Sequence, residues 1–454
     1  MHEHKKDFEH TLETIRDLIK AKDLPKLSAE LSHHHTATIV DILDELHPSE
    51  QVVLFRLLKR ERASRVFSQL NQHTEEQLLK HLKHEETIQL IKSLKPDDRV
   101  SLLEELPSSV TRRLLDALEP EDRAEAVTLL GYPEDSVGRL MTPDFVAVKQ
   151  DWTAAQALNH IKARASESET INSVYVVDNE WTLIGYVSLS RLVVANADQK
   201  ISKLMQERVM SISALEDQES TIKVMNDYRL SVIPVVDTTH SLIGIVTFDD
   251  ISRVAEEETT EDFHKTSAIA PLDMEYSHAS VFTLFRRRVG WLAILLVVNL
   301  ASSSVIAVYE ETLATAISLI FFMPLLIAAG GNTGTQSATL MIRGLSTGDI
   351  KIRNWLRTFG KELFVGVTLA GALGIAASAL GIFRGGYEIG LIVGLSMLAI
   401  VFMANVIGSL MPFLLMKFRL DPAVASGPLV TSVADVMGLM IYFGIASAVL
   451  GQVA

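Results

Sequence analysis

The chain has 454 residues, room for two to four domains by the usual length prior, and a formal net charge of −14. Residues 289–454 hold seven acidic and eight basic side chains, so the first 288 residues carry −15, a surface that repels nucleic acid and attracts cations. The absence of cysteine excludes disulfides and thiolate metal centres and fits a reducing compartment.

The opening "MHEHKKDFEHTLETIRDLIK" has no apolar core and does not read as a secretory signal, so the acidic half is expected to stay in the cytoplasm. From residue 46 a leucine ladder recurs every 12 residues: Leu46, Leu58, Leu70, Leu82, Leu94, Leu106, Leu118 and Leu130. Pro48, Pro96, Pro107 and Pro120 follow ladder leucines, with acids such as Glu50, Asp97, Asp98, Glu121 and Asp122 next. Proline and acids belong in a helix's first turn. Each 12-mer therefore predicts a short helix plus a turn, stacked into an α-solenoid over residues 1–136.

A second repeat follows over 137–254. "LMTPDFVAV" at 140 is echoed by "LMQERVMSI" at 204, and "VYVVDNEWTLIGYVSLSRL" at 174 by "IPVVDTTHSLIGIVTFDDI" at 233. Each copy predicts two β-runs, 174–177 with 184–187 and 233–236 with 243–246. The pattern resembles a tandem pair of cystathionine-β-synthase (CBS) domains. Such pairs often bind adenine nucleotides, with a Ser/Thr-x-x-Asp after the last strand holding the ribose. Thr247 and Asp250 match in the second copy, whereas in the first copy Ser188 is followed by Arg191. One ATP-type site and a purely structural pair both fit this pattern.

Residues 256–262, "EEETTED", place five carboxylates in seven positions. Glu257/Glu261 and Glu258/Asp262 are like-charge pairs at i,i+4, which destabilise a helix unless neutralised. A divalent cation is the expected neutraliser, since carboxylate clusters suit Mg²⁺ and Ca²⁺. A connecting helix is expected over 255–285.

Beyond it, five segments are long and apolar enough to cross a bilayer: 289–309, 313–333, 362–383, 389–416 and 428–453. Arg286–Arg288, the five bases between spans two and three, and Lys417 with Arg419 all fall on one side. The positive-inside rule then puts the N-terminus in the cytoplasm and the C-terminus outside. Spans two and five carry "AAGGNTGTQSA" and "DPAVASGPLVTS", where glycine and proline are expected to loosen the helix and free backbone carbonyls for ions. Asn332, Thr333, Thr335, Gln336, Thr431, Ser432 and Asp435 add polar groups to the same two spans. Asp435 has no partner charge nearby in sequence, and a carboxylate at membrane depth marks a functional site.

These pieces, in this order, resemble the MgtE family of magnesium channels. "GGNTGTQSATLMIRG" (330–344) and "DPAVASGPLVTSVADVMG" (421–438) are the most specific motifs. The resemblance implies a homodimer in the plasma (inner) membrane, with a Mg²⁺ pore on its two-fold axis lined by spans two and five. It implies Asp435 as the pore carboxylate, with Asn332 and backbone carbonyls near Ala328, Gly331 and Thr431 around a hydrated ion. It also implies a gate closed by cytosolic Mg²⁺, with Glu258, Glu261 and Asp262 on the connecting "plug" helix and Asp217, Glu219 and Asp250 on the CBS pair as sensor acids. Arg229 stands where a further sensor acid belongs. A proton- or ion-coupled secondary divalent-cation transporter and a membrane-anchored docking protein are the alternatives. The sequence holds no nucleophile–base pairing, phosphate loop or metal-ligand histidine spacing of an enzyme.

Overall fold

The computed structural model describes residues 2–450, apart from 107, 273–275, 277, 278, 311–313, 315 and 419. Pro107, the first and third residues of the second expected span and the last three of the fifth lie outside the described residues. The chain forms two compact units, one ending at Glu258 and the other beginning at Thr259.

The first unit opens with ten helices: α1 (His2–Lys20), α2 (Leu24–His33), α3 (Thr36–Glu45), α4 (Pro48–Arg56), α5 (Arg60–Phe67), α6 (Gln72–His81), α7 (His84–Ile91), α8 (Pro96–Glu105), α9 (Ser108–Ala117) and α10 (Pro120–Leu130). From α3 onward each starts 12 residues after the last. Pro48, Pro96 and Pro120 open α4, α8 and α10 with acids beside them, where a missing N–H costs nothing. Packing is between alternate helices: α3 on α5, α4 on α6, α5 on α7, α7 on α9, α8 on α10. Accordingly Leu46, Leu70, Leu94 and Leu118 are buried, while Leu58, Leu82, Leu106 and Leu130 are only partly covered. The physical repeat is thus 24 residues, because a single three-turn helix has one apolar stripe and two are needed to wall a core.

After α11 (Val137–Leu140) come two equivalent β-units. The first is β1 (Ala147–Lys149), α12 (Ala154–Arg164), β2 (Ser173–Val177), β3 (Leu183–Ser188) and α13 (Leu189–Val194); the second, α14 (Ile201–Leu204), β4 (Ile212–Ser213), α15 (Gln218–Tyr228), β5 (Val232–Val236) and β6 (Leu242–Thr247). In each sheet the first strand runs parallel to the second and the second antiparallel to the third. The registers are equivalent, Val174 opposite Val187 and Ile233 opposite Val246. Helix α16 (Phe248–Thr266) follows β6 without a loop. It therefore starts inside the expected CBS stretch and stops well short of 285. Its end is set by a left-handed Ala268 (φ 56°).

The second unit holds α17 (Val281–Val308), a 3₁₀ turn (Ile317–Phe322) leading into α18 (Met323–Ser346), a 63-residue helical run (Trp355–Lys417), a 3₁₀ turn (Pro422–Val424) and a last helix (Gly427–Leu450). A straight helix of that length would measure ~95 Å, about three times the hydrocarbon thickness. Gly386 breaks it with φ 84° and ψ −176°, backbone that favours glycine. Gly381 packs on Gly390, Gly374 on Gly394 and Gly366 on Asn405, a near-constant sum of paired numbers that only antiparallel arms produce. The arms are α19 (355–385) and α20 (387–417), which makes the last helix α21. Among the described residues, the four long apolar helices thus become five segments of spanning length, and the chain is a membrane protein.

One expectation is corrected here. α18 runs unbroken through Gly330, Gly331 and Gly334, and α21 unbroken from Gly427. The carbonyls expected to be free at Ala328, Gly331 and Thr431 thus lie inside continuous helices. The glycines serve close packing instead: a Cβ on Gly408 of α20 would come 2.1 Å from the Gly334 carbonyl oxygen, and one on Gly331 2.9 Å from Thr431 Cγ2 of α21. Three buried polar side chains find partners across the bundle, as hydrocarbon favours. Ser337 Oγ donates to Asn405 Oδ1 (2.6 Å), Asn405 Nδ2 to the Glu362 carbonyl (2.9 Å), and Tyr442 Oη to the Leu319 carbonyl (2.9 Å).

Candidate functional site

Helical spacing brings the polar residues of α18 and α21 to facing stripes. Asn332, Thr335 and Gln336 recur at i, i+3 and i+4 on α18, and Pro428, Thr431, Ser432 and Asp435 at i, i+3, i+4 and i+7 on α21. With Gly427, and with Leu295 and Asn299 from α17, they line a cavity of about 540 Å³. Six waters at ~30 Å³ each fill about 180 Å³, so a fully hydrated Mg²⁺ fits without losing its shell.

Among the described residues, Asp435 is the only charged side chain in this lining. Its Oδ1 is buried and accepts no hydrogen bond from the described residues. The hydroxyls of Thr335 and Thr431 lie 3.1 Å apart and tie the two helices together at the cavity wall. Carboxylate, carboxamide and hydroxyl oxygens are hard donors that suit Mg²⁺ or Ca²⁺ rather than softer metals. Among the expected pore residues, the structure brings Asp435, Asn332 and Thr431 together. Gly331 sits beneath Thr431, and exposed Ala328, one turn before Asn332, is not among the lining residues. Thr333 is buried and spends its hydroxyl on the Ala329 carbonyl. Asn299 escaped the sequence reading, although a lone carboxamide inside an apolar span was a signal.

The expected sensor acids fall into separate groups. Asp217 caps α15 by accepting from the Glu219 N–H (2.8 Å), and Glu258 accepts from Gln218 Nε2 (3.2 Å) at the same helix end. Arg229 is the left-handed C-cap at the opposite end of α15. Asp250 accepts from Thr247 Oγ1 (2.6 Å) and lies with Asp97, Asp98 and Glu169, a grouping the sequence did not reveal because "PDD" reads as an ordinary helix start. Burial, then the charge of Asp250, pushes Asp98 up to about 6. Burial and the charges of Asp98 and Asp250 push Asp97 well above the carboxylate range, and burial raises Asp250 too. Lys95, 2.6 Å from Glu169, and Arg253, 3.8 Å from Asp250, offset only part of this crowding. In the second unit Glu261 pairs with Lys265 (2.5 Å), and Asp262 Oδ2 lies 3.5 Å from Ser346 Oγ. Among the described residues no three His, Asp or Glu side chains converge as a metal centre.

Comparison with known proteins bears on this geometry. Residues 323–445 match the profile of the MgtE family, described as a divalent cation transporter; 34–135 match the MgtE intracellular N domain, and 137–198 and 201–257 the CBS domain. The magnesium transporter MgtE of Thermus thermophilus is 41% identical over 331 residues, 73% of each chain. That of Bacillus subtilis is 36% identical over 324 residues, 70% of this chain and 71% of its own. The crystal structure of the cytosolic domain of the Mg²⁺ channel MgtE in complex with ATP superposes with a TM-score of 0.52 at 32% identity, covering 54% of this chain and 99% of that one. On both sequence and architecture, the chain belongs to the MgtE family.

Proposed function

We propose that this protein is a Mg²⁺-selective channel that mediates magnesium uptake across the plasma (inner) membrane and closes when cytosolic Mg²⁺ binds its acidic domains. The observation that carries the reading is Asp435, a carboxylate with an unfilled oxygen in a cavity of hydroxyls and amides between two membrane helices. In a homodimer two Asp435 side chains face one axis, and two carboxylates acting through water suit a cation that gives up its hydration shell reluctantly. Asn332, Gln336, Thr431 and Asn299 supply further oxygens to that shell. Basic residues flanking the spans favour a cytoplasmic N-terminus and an external C-terminus.

Closure rests on like-charge crowding. Without divalent ions, the carboxylates of Asp97, Asp98 and Asp250, and those of Glu258, Glu261 and Asp262, repel within their own groups. Mg²⁺ relieves that repulsion and favours the compact state. The relative crystallised with ATP and the Thr247–Asp250 pair support one adenine nucleotide per CBS pair, Asp250 holding the ribose.

Reconstitution in liposomes tests the function. Mg²⁺ uptake down its own gradient, unchanged when the proton gradient is collapsed and reduced by Mg²⁺ on the cytosolic side, is the expected result. Uptake that requires the proton gradient would make the protein a coupled transporter.

A further inference from the structure

The last turns of α16 meet the end of one cavity-lining helix, α18, and the turn that leads into another, α21. Asp262 Oδ2 lies 3.5 Å from the hydroxyl of Ser346, the final residue of α18. Lys265 Nζ lies 2.6 Å from Asp421 Oδ2, in the turn that leads into α21, and 2.5 Å from Glu261 Oε1. The other oxygen of Asp421 accepts from the Ala423 N–H (2.8 Å) and caps the 3₁₀ turn. One carboxylate therefore shapes the approach to α21 and holds the ammonium of α16. Just beyond it Ala423 and Ser426 are fully buried, and Gly427 and Pro428 line the cavity.

The Lys265 ammonium thus bridges two carboxylates, Asp421 and Glu261. The Lys265–Asp421 pair is about one-third exposed on each side, with side-chain accessibilities of 27% and 34%. Around it Glu261, Asp262 and Asp421 would repel one another without the ammonium. A tethered cation neutralises them at any metal concentration, which a dissociable one cannot do.

We propose that Lys265 is a positioning residue for permeation: its ion pair with Asp421 latches the end of α16 to the start of α21, as a metal-independent brake on the helix that presents Thr431 and Asp435. This rests on reading the cavity as the ion path. Removing the ammonium leaves three carboxylates at the joint, which opens it and raises flux.

The chain has no cysteine, so an introduced thiol is unique. Lys265→Cys should raise Mg²⁺ flux into liposomes about fivefold, the size of one partly exposed ion pair coupled to a gate. Treatment with 2-aminoethyl methanethiosulfonate restores an ammonium at nearly lysine length and should return flux to the wild-type level. Methyl methanethiosulfonate should not, and with Asp421→Asn added neither reagent should matter. Lys265→Arg should behave as wild type. Unchanged flux in Lys265→Cys, or equal effects of the two reagents, overturns the latch. A second readout needs no transport: the maleimide labelling rate of Ser426→Cys should rise about fivefold when Lys265→Met is added. If the wild-type protein carries no Mg²⁺, the ion-path reading fails, while an unchanged labelling rate rejects the latch itself.

Discussion

The acidic groups of the two units are built on opposite lines. Asp435 stands alone among hydroxyls and amides, with no base in its cavity and one oxygen unfilled. Asp97, Asp98 and Asp250 crowd one another, with Lys95 and Arg253 only at the margin. Two like charges 4 Å apart repel by about 4 kcal/mol at an effective dielectric of 20. A crowd is therefore unfavourable until a cation arrives, and it changes state when one does. A lone carboxylate attracts a hydrated cation without holding it, and the ion can leave. Occupancy suits sensing, and transience suits passage.

The sharpest way to break the comparison is Asp435→Asn. It keeps the side chain's size and removes the charge from the cavity, two charges in the proposed homodimer. Charge-assisted bonds are worth ~1.5–3 kcal/mol, so Mg²⁺ flux per folded protein should fall about a hundredfold. Asp435→Glu should be milder, since only the carboxylate's position changes. Protein yield should hold, because burying an amide costs less than burying a charge. Near-normal flux in the Asn variant would show that Asp435 does not select the ion.

How far each centre was legible follows from its geometry. Asp435 could be singled out because an acid within an apolar run marks a candidate site, and the helical period then gathers Asn332 and Thr431 around it. The 12-residue ladder also runs in step with every helix start from α4 to α10. Burial alternates over 24, however, which depends on which helix stacks on which. Loosened helices at "GGNTG" were wrongly expected because glycine serves both kinks and close packing, and sequence cannot tell them apart. The group around Asp98 was invisible for another reason. Asp97 and Asp98 are ordinary first-turn acids, and only the fold brings Asp250 and Glu169 to them from over a hundred and about seventy residues away.

The next variant tests the proposed sensor. Replacing Glu258, Glu261 and Asp262 together by Ala should raise the cytosolic Mg²⁺ needed for half-inhibition about tenfold, a coupling of ordinary size. Limited proteolysis near 250–270 should then no longer slow on adding Mg²⁺. Inhibition at the wild-type concentration would place the sensor elsewhere.

The crowding also has a pH signature. Asp98 is raised from 3.8 to about 6, so the folded state holds its proton more tightly than the unfolded chain. Stability is thus lost as pH rises from about 4 through 6, and the full deficit persists above it. Measured by thermal melting without Mg²⁺, Asp98→Asn should be more stable than wild type at pH 7.5, by up to about 3 kcal/mol, and nearly equal to it at pH 4. Added Mg²⁺ should stabilise wild type more at pH 7.5 than at pH 5. A Mg²⁺ effect independent of pH would mean that these carboxylates do not bind it.

The smallest effect concerns the nucleotide. The CBS copies share strand order and register, so they differ as sites only through side chains. In the second copy Thr247 Oγ1 donates to Asp250 (2.6 Å), and that carboxylate is placed to accept from a ribose hydroxyl. In the first, Ser188 caps α13 through the Arg191 N–H (3.3 Å), and Arg191 itself is exposed, with no carboxylate for a ribose. Calorimetry on the full-length protein should therefore find one ATP per chain. Asp250→Asn should weaken it about tenfold, the worth of one charged hydrogen bond. Arg191→Asp restores the missing acid and should create a second, weaker site. Because Asp250 also belongs to the crowd around Asp98, ATP and Mg²⁺ should alter each other's apparent affinity by the same factor, as linkage requires. Two equal sites in the wild-type protein would remove the asymmetry, and affinities independent of each other would separate the nucleotide from the sensor.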